Sequence, residues 1–383
     1  ERAAENNIQC FNIKKNNNKW SWLAEIKSVP INKCISPKQI NMHIATKNNG
    51  SGHAIFIQIP RIKHPIPLFI LFRALGVISD KEICQMIVLD IDSKEISQML
   101  YGLKASIIEA YDILKDFKKN KLKKLRHDCK EKGGVNSPEY IEMEEQMKSQ
   151  TPVEEAIDYI IGNVMYTPIN MTKKQGEQKQ REFALDVLNN DLFPHCRTQL
   201  EKKFFLGYMT NELLQTSFGW KPVSDRDSYS NKRIDLAGTL LNNLFRNYFN
   251  KLVKDMQKQT VREMNNGSWK STDDYLNIIN QTNIYKIIKS TTIENGIKRA
   301  LATGDFGIKN TNSNKVGVAQ VLSRLTYISS LSHLRRINTP IDKSGKLIPP
   351  RKLHNTQWGF ICPAESPEGQ SVGVVKNLSY LAH

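Results

Sequence analysis

The sequence predicts a multi-domain α+β chain, and three observations carry that expectation. Residues 20–26 (Trp-Ser-Trp-Leu-Ala-Glu-Ile) and 53–59 (His-Ala-Ile-Phe-Ile-Gln-Ile) have strand-like patterns, the second alternating with isoleucine at 55, 57 and 59. Farther on, Leu236, Leu240, Leu241, Leu244, Tyr248, Leu252 and Met256 recur at helical spacing. At 383 residues and 39% hydrophobic content, the chain exceeds one small module and has enough apolar material for a core.

Taken in order, the two strands are stopped by Pro30 and Pro60, and residues 66–78 read as a short buried helix. Residues 113–132 then hold nine basic and three acidic side chains, and residues 137–158 hold seven acidic and one basic, with Gly133-Gly134 between them. This dipole fits a pair of solvated helices in an inserted segment, or else a nucleic-acid clamp. The helical run from residue 235 is expected to bury its apolar face as core, not as a cofactor pocket. Asn265-Asn-Gly267 reads as a turn, residues 273–288 as a second helix, and the Gly- and Asn-rich stretch 304–315 as a mobile loop.

Lys and Arg number 55 against 38 Asp and Glu, a formal charge of +17, which suits a polyanionic partner. The longest apolar run, 66–72, is far short of the roughly 20 residues a membrane span needs, so no membrane partner is expected. Glu1 is not a natural start, so the sequence reads as truncated. Its six cysteines stand at least 24 residues apart, which fits reduced, mostly buried thiols of an intracellular protein.

Catalytic signatures are missing: there is no phosphate-binding G-x-x-x-x-G-K-[ST], no G-x-G-x-x-G and no H-E-x-x-H. Asp305-Phe-Gly307 lacks the other kinase motifs around it, and four Asn-x-Ser/Thr triplets fit chance. Histidines are too scattered for a ligand set. The unusual density lies toward the C-terminus. Residues 298–336 hold seven basic side chains and one acidic, so a local salt-bridge network cannot neutralise them. Gln320, Arg324, His333, Arg335 and Arg336 are threaded there among leucines, and such a face suits phosphates and sugars. Next, Trp358-Gly-Phe-Ile-Cys-Pro-Ala-Glu-Ser-Pro-Glu-Gly-Gln370 combines two prolines and two glycines with fixed polar groups, as rigid site loops do.

Five blocks carry a family resemblance: Ile66-Pro-Leu-Phe-Ile-Leu-Phe-Arg-Ala-Leu-Gly76; Phe204-Phe-Leu-Gly-Tyr-Met209; Asp225-Arg-Asp-Ser-Tyr-Ser-Asn-Lys-Arg-Ile-Asp-Leu-Ala-Gly238; Leu331-Ser-His-Leu-Arg-Arg-Ile-Asn-Thr-Pro340; and Leu353-His-Asn-Thr-Gln through Gln370. In this order, over nearly the whole chain, they resemble the second-largest, beta-type subunit of multisubunit DNA-directed RNA polymerase, and the eukaryotic type more than the bacterial. Ser228, Ser230, Thr239 and Ser366 depart from the family pattern without removing a charge. The charged stretch 113–158 matches nothing in the family's lobe and suggests a divergent lineage, such as a large DNA virus of eukaryotes.

The resemblance implies an internal piece of a subunit about three times longer. It would comprise the end of a first protrusion segment (1–20), a lobe (21–190, with insertion 113–158), a second protrusion segment (191–265) and a fork (266–383). It implies nucleotidyl transfer by the assembled enzyme, with Mg²⁺ bound mainly by the largest subunit and none within this chain. Expected partners are the DNA template, the RNA transcript, the largest subunit and other polymerase subunits. No catalytic residue is implied here. The nucleic-acid path would take Lys309 and Lys315 from a fork loop at 304–315, Gln320, Arg324, His333, Arg335 and Arg336 from a wall near the RNA 3′ end, and Glu368 and Gln370 from a facing loop. The implied location is the nucleus for a cellular source, or a cytoplasmic viral factory or virion for a viral one. The other reading of the same residues is a stand-alone basic nucleic-acid-binding protein without catalysis.

Overall fold

The computed structural model describes all residues except 14–18, 31–35, 90–95, 129–144, 146–148, 168–171, 266–283, 308–315, 342–344, 346 and 383. The chain divides into two compact units, residues 4–225 and residues 1–3 with 226–383. Both helices and sheets are present, as the sequence predicts.

The 4–225 unit is built on a five-stranded antiparallel sheet: β1 (Gln9–Asn12), β2 (Trp20–Ser28), β3 (Lys38–Asn48), β4 (His53–Gln58) and β5 (Ile66–Pro67), neighbours in sequence order. Its register aligns one row, Cys10, Ala24, Met42, Ile57 and Ile66, across all five strands. Each of these is buried, because side chains two apart share a face and this face meets the helices. The expected helix at 66–78 is shorter than its pattern: β5 takes its first two residues and α1 (Leu68–Ala74) follows, buried almost throughout.

α2 (Asp80–Val88) and α3 (Ile96–Asp128) come next. Met99, Leu103, Ser106, Ala110 and Leu114 form the buried stripe of α3, and the Ser106 hydroxyl accepts from the Ile55 N–H at 3.0 Å. α4 (Pro152–Asn163) starts on a reciprocal capping box between Thr151 and Glu154, with Pro152 in its first turn, and buries Ala156 and Ile160. The basic and acidic segments meet here: Lys118 pairs with Glu155, and Lys121 with Asp158 at 3.0 Å. The charges at these positions therefore serve helix pairing. Gly133-Gly134 lies outside the described residues.

α5 (Lys173–Asp186) runs into a π-helical turn, Val187–Asp191, whose carbonyls at 188 and 189 accept from the buried Lys202 ammonium at 2.9 and 2.6 Å. Buried Asp191 is held by Arg61 and by Lys38 at 2.9 Å. α6 (Gln199–Ser217) crosses α2 where a Cβ on Gly207 would stand 2.4 Å from the Met86 carbonyl oxygen, so only glycine permits the approach. This unit runs on to residue 225 and includes α6.

In the other unit, Arg2–Ala3 pairs antiparallel with Lys232–Arg233. α7 (Ala237–Asn265) and α8 (Thr291–Thr303) enclose a core of Leu244, Ala300 and Phe306. The expected core face of α7 is partly buried: of the seven periodic residues Leu244 is fully buried, Leu240, Tyr248, Leu252 and Met256 are half-buried, and Leu236 and Leu241 are exposed. Leu240 and Tyr248 pack with Leu244 beside Ala300 and Phe306, so this stretch of the face serves as core. The turn at 265–267 lies outside the described residues beyond Asn265, and the helix expected at 273–288 is described only at Ile284–Ile287. α9 (Tyr327–Leu334) and an antiparallel pair of β6 (Arg336–Asn338) with β7 (Val375–Asn377) complete it.

Of the cysteines, Cys10 is buried while Cys84, Cys196 and Cys362 are half-buried, so "mostly buried" holds for one in four of the described thiols. Burial still pushes the thiols of Cys10, Cys84 and Cys196 up to about 11, which keeps them protonated and poorly nucleophilic at neutral pH.

Candidate nucleic-acid interface

The polypeptide reaches the interface from α8, whose last turn ends on Gly304 at φ +71°, a left-handed cap. A Cβ there would stand 2.4 Å from the Ala319 carbonyl oxygen, and the Val318 N–H donates to the Gly304 carbonyl at 2.9 Å. Residues 318 and 319 are thus laid against the end of α8. Phe306 is buried, 6% exposed, beside Leu244 and Ala300. This corrects the expectation of a mobile loop over the whole of 304–315: residues 304–307 are anchored, and Phe306 braces the unit. The remainder, with Lys309 and Lys315, lies outside the described residues.

Beyond the anchor, hydrogen bonds fix a turn and a short helix. Gln320 Nε2 donates to the Gly317 carbonyl at 3.0 Å, and its Oε1 faces His333 Nε2 at 2.9 Å. His333 Nδ1 accepts from the Ser323 N–H at 3.0 Å, so in this arrangement the ring hydrogen sits on Nε2 and donates to Gln320. α9 opens on Thr326, whose hydroxyl accepts from the Ser329 N–H at 3.1 Å while the Ser329 hydroxyl accepts from the Thr326 N–H at 3.0 Å. The Ser330 hydroxyl donates to the Ser323 carbonyl at 2.6 Å, closing the turn onto the helix.

The two successive arginines part ways. Arg335 turns inward and donates to the carbonyls of Ser379 at 2.7 Å and Ala382 at 2.8 Å, while its own carbonyl accepts from the Leu378 N–H at 3.0 Å. Arg336, the first residue of β6, projects its side chain into solvent. Arg324 and Gln320 are exposed as well, and His333 is half-buried. Glu368 and Gln370 are exposed on the following loop, which Arg351 clamps by donating to the carbonyls of Gln370 at 2.6 Å and Val372 at 2.9 Å. The Ser332 hydroxyl donates to the Glu365 carboxylate, joining α9 to that loop.

The structure therefore brings Gln320 and His333 into direct contact, gives Arg335 a bracing position, and leaves Arg324, Arg336, Glu368 and Gln370 exposed. Arg351 was missed in the sequence because a lone arginine after Pro349-Pro350 carries no pattern. A buried charge centre was missed too. The Glu1 carboxylate accepts from Tyr229 and from Thr339 at 3.1 Å, and pairs with Lys376 at 3.2 Å. Burial alone would raise its pKa, but the Tyr229 bond and the two lysines, Lys376 and Lys232, outweigh burial and hold it below the usual carboxylate value. The Tyr229 N–H also donates to Thr356 Oγ1 at 2.8 Å, which joins the 225–238 block to the 353–370 block.

A hard cation such as Mg²⁺ needs converging oxygen ligands. Among the described residues no group of three or more His, Cys, Asp or Glu side chains comes together, so these residues do not fit that ion. No described helix is long and apolar enough to cross a membrane.

Two family models match, both for domains of one polymerase subunit type: "RNA polymerase Rpb2, domain 2" over residues 4–235 and "RNA polymerase Rpb2, domain 3" over residues 320–383. The chain is 35% identical to DNA-directed RNA polymerase II subunit 2 of Arabidopsis thaliana, over 100% of this chain and 28% of the relative. It is 37% identical to the DNA-directed RNA polymerase II subunit RPB2 of Eremothecium gossypii, over 100% and 27%, and 32% identical to the DNA-directed RNA polymerase subunit Rpo2N of Methanothermobacter thermautotrophicus, over 88% and 56%. The chain belongs to the RNA polymerase Rpb2 family. It spans roughly a quarter of the length of the eukaryotic relatives.

Proposed function

We propose that the chain forms part of the nucleic-acid path and active-centre wall of a DNA-directed RNA polymerase, as a stretch of its second-largest subunit. One observation carries the reading: Arg324 and Arg336 stand exposed on a hydrogen-bonded ledge in a segment, 298–336, with seven cations and a single acid. Guanidinium forks bind phosphates and sugars without reading base edges, which suits an enzyme that slides along any sequence. The rigid turn built by Gln320, Ser323 and His333 holds Arg324 in place, and the loop bearing Glu368 and Gln370 is braced from behind by Arg351.

In this proposal Mg²⁺ is held by the largest subunit, and the ion would supply charge stabilisation for nucleotidyl transfer. This chain's residues bind and orient the template and transcript. The 21–190 region is assigned to the lobe, 1–20 and 191–265 to the protrusion, and 266–383 to the fork. The location follows the source, nuclear for a cellular protein and a viral factory or virion for a viral one. The test is the Arg324→Ala, Arg336→Ala double variant in the assembled polymerase. The expected result is normal assembly with transcript extension on a preformed DNA–RNA scaffold slowed about tenfold or more, as for losing two charge-assisted contacts. Normal extension by an assembled variant would remove these residues from the path.

A further inference from the structure

The 4–225 unit contains a cavity of about 310 Å³ between α1, α3 and α4, far along the chain from the ledge. Its walls are mainly apolar: Ile78, Leu114, Pro152 and Tyr111. Arg73, Lys115 and Lys118 line it as well, with Glu155 as the one acid in the lining. The size sits at the low end for ligand pockets and suits one bulky side chain with its neighbours.

The walls are built in advance. Arg73 is buried, 4% exposed, and donates to Asp80 at 2.8 Å, while the Tyr111 hydroxyl donates to the other Asp80 oxygen at 3.0 Å. The guanidinium lies 4.4 Å from the centre of the Tyr111 ring, which is thereby held in one orientation. Arg73 Nε, though buried, has no hydrogen-bond partner. Asp80 offsets Arg73, and Glu155 offsets Lys118. Lys115 is exposed and has no acidic partner among the described residues, so one cation is left over. Beside it, Ile78 and Tyr111 are more than half exposed.

We propose that this cavity is a docking pocket for an acidic peptide segment of a partner protein: an aliphatic or aromatic side chain lies against Ile78 and Tyr111, and an adjacent carboxylate pairs with Lys115. The fixed Arg73–Asp80–Tyr111 arrangement lowers the ordering cost of binding. A nucleic-acid strand fits less well in the pocket itself, because it calls for stacked bases along a track of cations. Lys115 is the one cation of this lining without an acid among the described residues, the walls are mostly apolar, and the further exposed lysines of α3, Lys119, Lys123 and Lys124, do not line it. The pocket stands whether or not the 298–336 ledge faces nucleic acid.

The test is fluorescence anisotropy of the full 383-residue chain with a labelled peptide, Glu-Asp-Phe-Glu-Asp-Leu-Glu. Lys115→Glu and Ile78→Asp both alter exposed side chains. Each is expected to weaken binding about threefold to fivefold or more, with the melting temperature unchanged, and a peptide with Lys in place of Glu is expected to regain affinity for Lys115→Glu. Unchanged affinity in both variants, or equal binding of a peptide with Gln and Asn in place of its acids, would overturn the pocket. Displacement of the probe by an oligothymidine strand from the wild-type chain but not from Lys115→Glu would overturn it in favour of nucleic acid.

Discussion

The two units of this chain solve different problems. Residues 4–225 bury 37 described residues in one continuous apolar cluster, from Cys10 to Leu214. The other unit gathers three, Leu244, Ala300 and Phe306, in its corresponding cluster. It leaves Val321, Leu325, Tyr327 and Trp358 at least 90% exposed. Apolar surface of that extent marks faces meant to be covered. The first unit is therefore stabilised by its own packing, whereas the second is held together by hydrogen bonds and ion pairs that shape surfaces for something else. Arg335, Arg351, Thr326 and the Glu1–Lys376 pair all do such shaping.

The largest expected effect sharpens that contrast. Phe69→Ala, at a fully buried site beneath the sheet, should cost about 3–5 kcal/mol in urea denaturation. Leu334→Ala, at an exposed site on α9, should fall within about 0.5 kcal/mol. Comparable costs would erase the distinction. Next, Gly304→Ala should be destabilised by about 1–3 kcal/mol, because its Cβ meets the Ala319 carbonyl and its φ is left-handed. Hydrogen exchange should then quicken at the Val318 amide and leave α1 and the sheet protected.

Acidity should strike the first unit. Burial holds both His43 and His195 below the ordinary value of 6.5, and Lys202 adds to the effect on His195. A folded-state pKa below the unfolded one means the unfolded chain takes up protons first, so stability is full above about pH 6.5 and falls as pH drops below it. The melting temperature of the sheet unit should decline over that range, and the decline should shrink in a His43→Gln, His195→Gln variant. Smallest of all is the exchange Lys121→Asp with Asp158→Lys, which keeps a half-exposed pair and should change stability by less than about 1 kcal/mol. Lys121→Asp alone should cost more than the exchange.

Much of the first unit was legible in the sequence. The alternation at 53–59 and the apolar run at 66–72 report burial directly, and both segments lie in the core. β3 carries a regular alternation, Ile40, Met42 and Ile44 with polar Asn41 and His43 between them, so this central strand was legible too. α8 was hidden because its segment is mostly polar and buries only Gly296 and Ala300. In the interface, charge density located the ledge but could not separate Arg335 from Arg336. Arg335 caps the end of α9 and Arg336 opens β6, and which one turns inward depends on carbonyls more than forty residues away. The anchoring of Phe306 escaped for a similar reason: loop composition predicts freedom, while Leu244 and Ala300 supply the site that removes it.

That adjacent pair gives the most direct measurement. Binding of the 383-residue chain to a single-stranded oligonucleotide is followed across a salt series for wild type, Arg335→Ala and Arg336→Ala, with melting temperatures alongside. The account predicts that Arg336→Ala keeps the wild-type melting temperature and lowers the slope of log affinity against log salt by about 0.7, one phosphate contact. Arg335→Ala should keep that slope and lose stability around the β6–β7 pair, since it strips donors from the carbonyls of Ser379 and Ala382. The reverse pattern, or an unchanged slope in both variants, would contradict the assignment of the exposed ledge to nucleic acid.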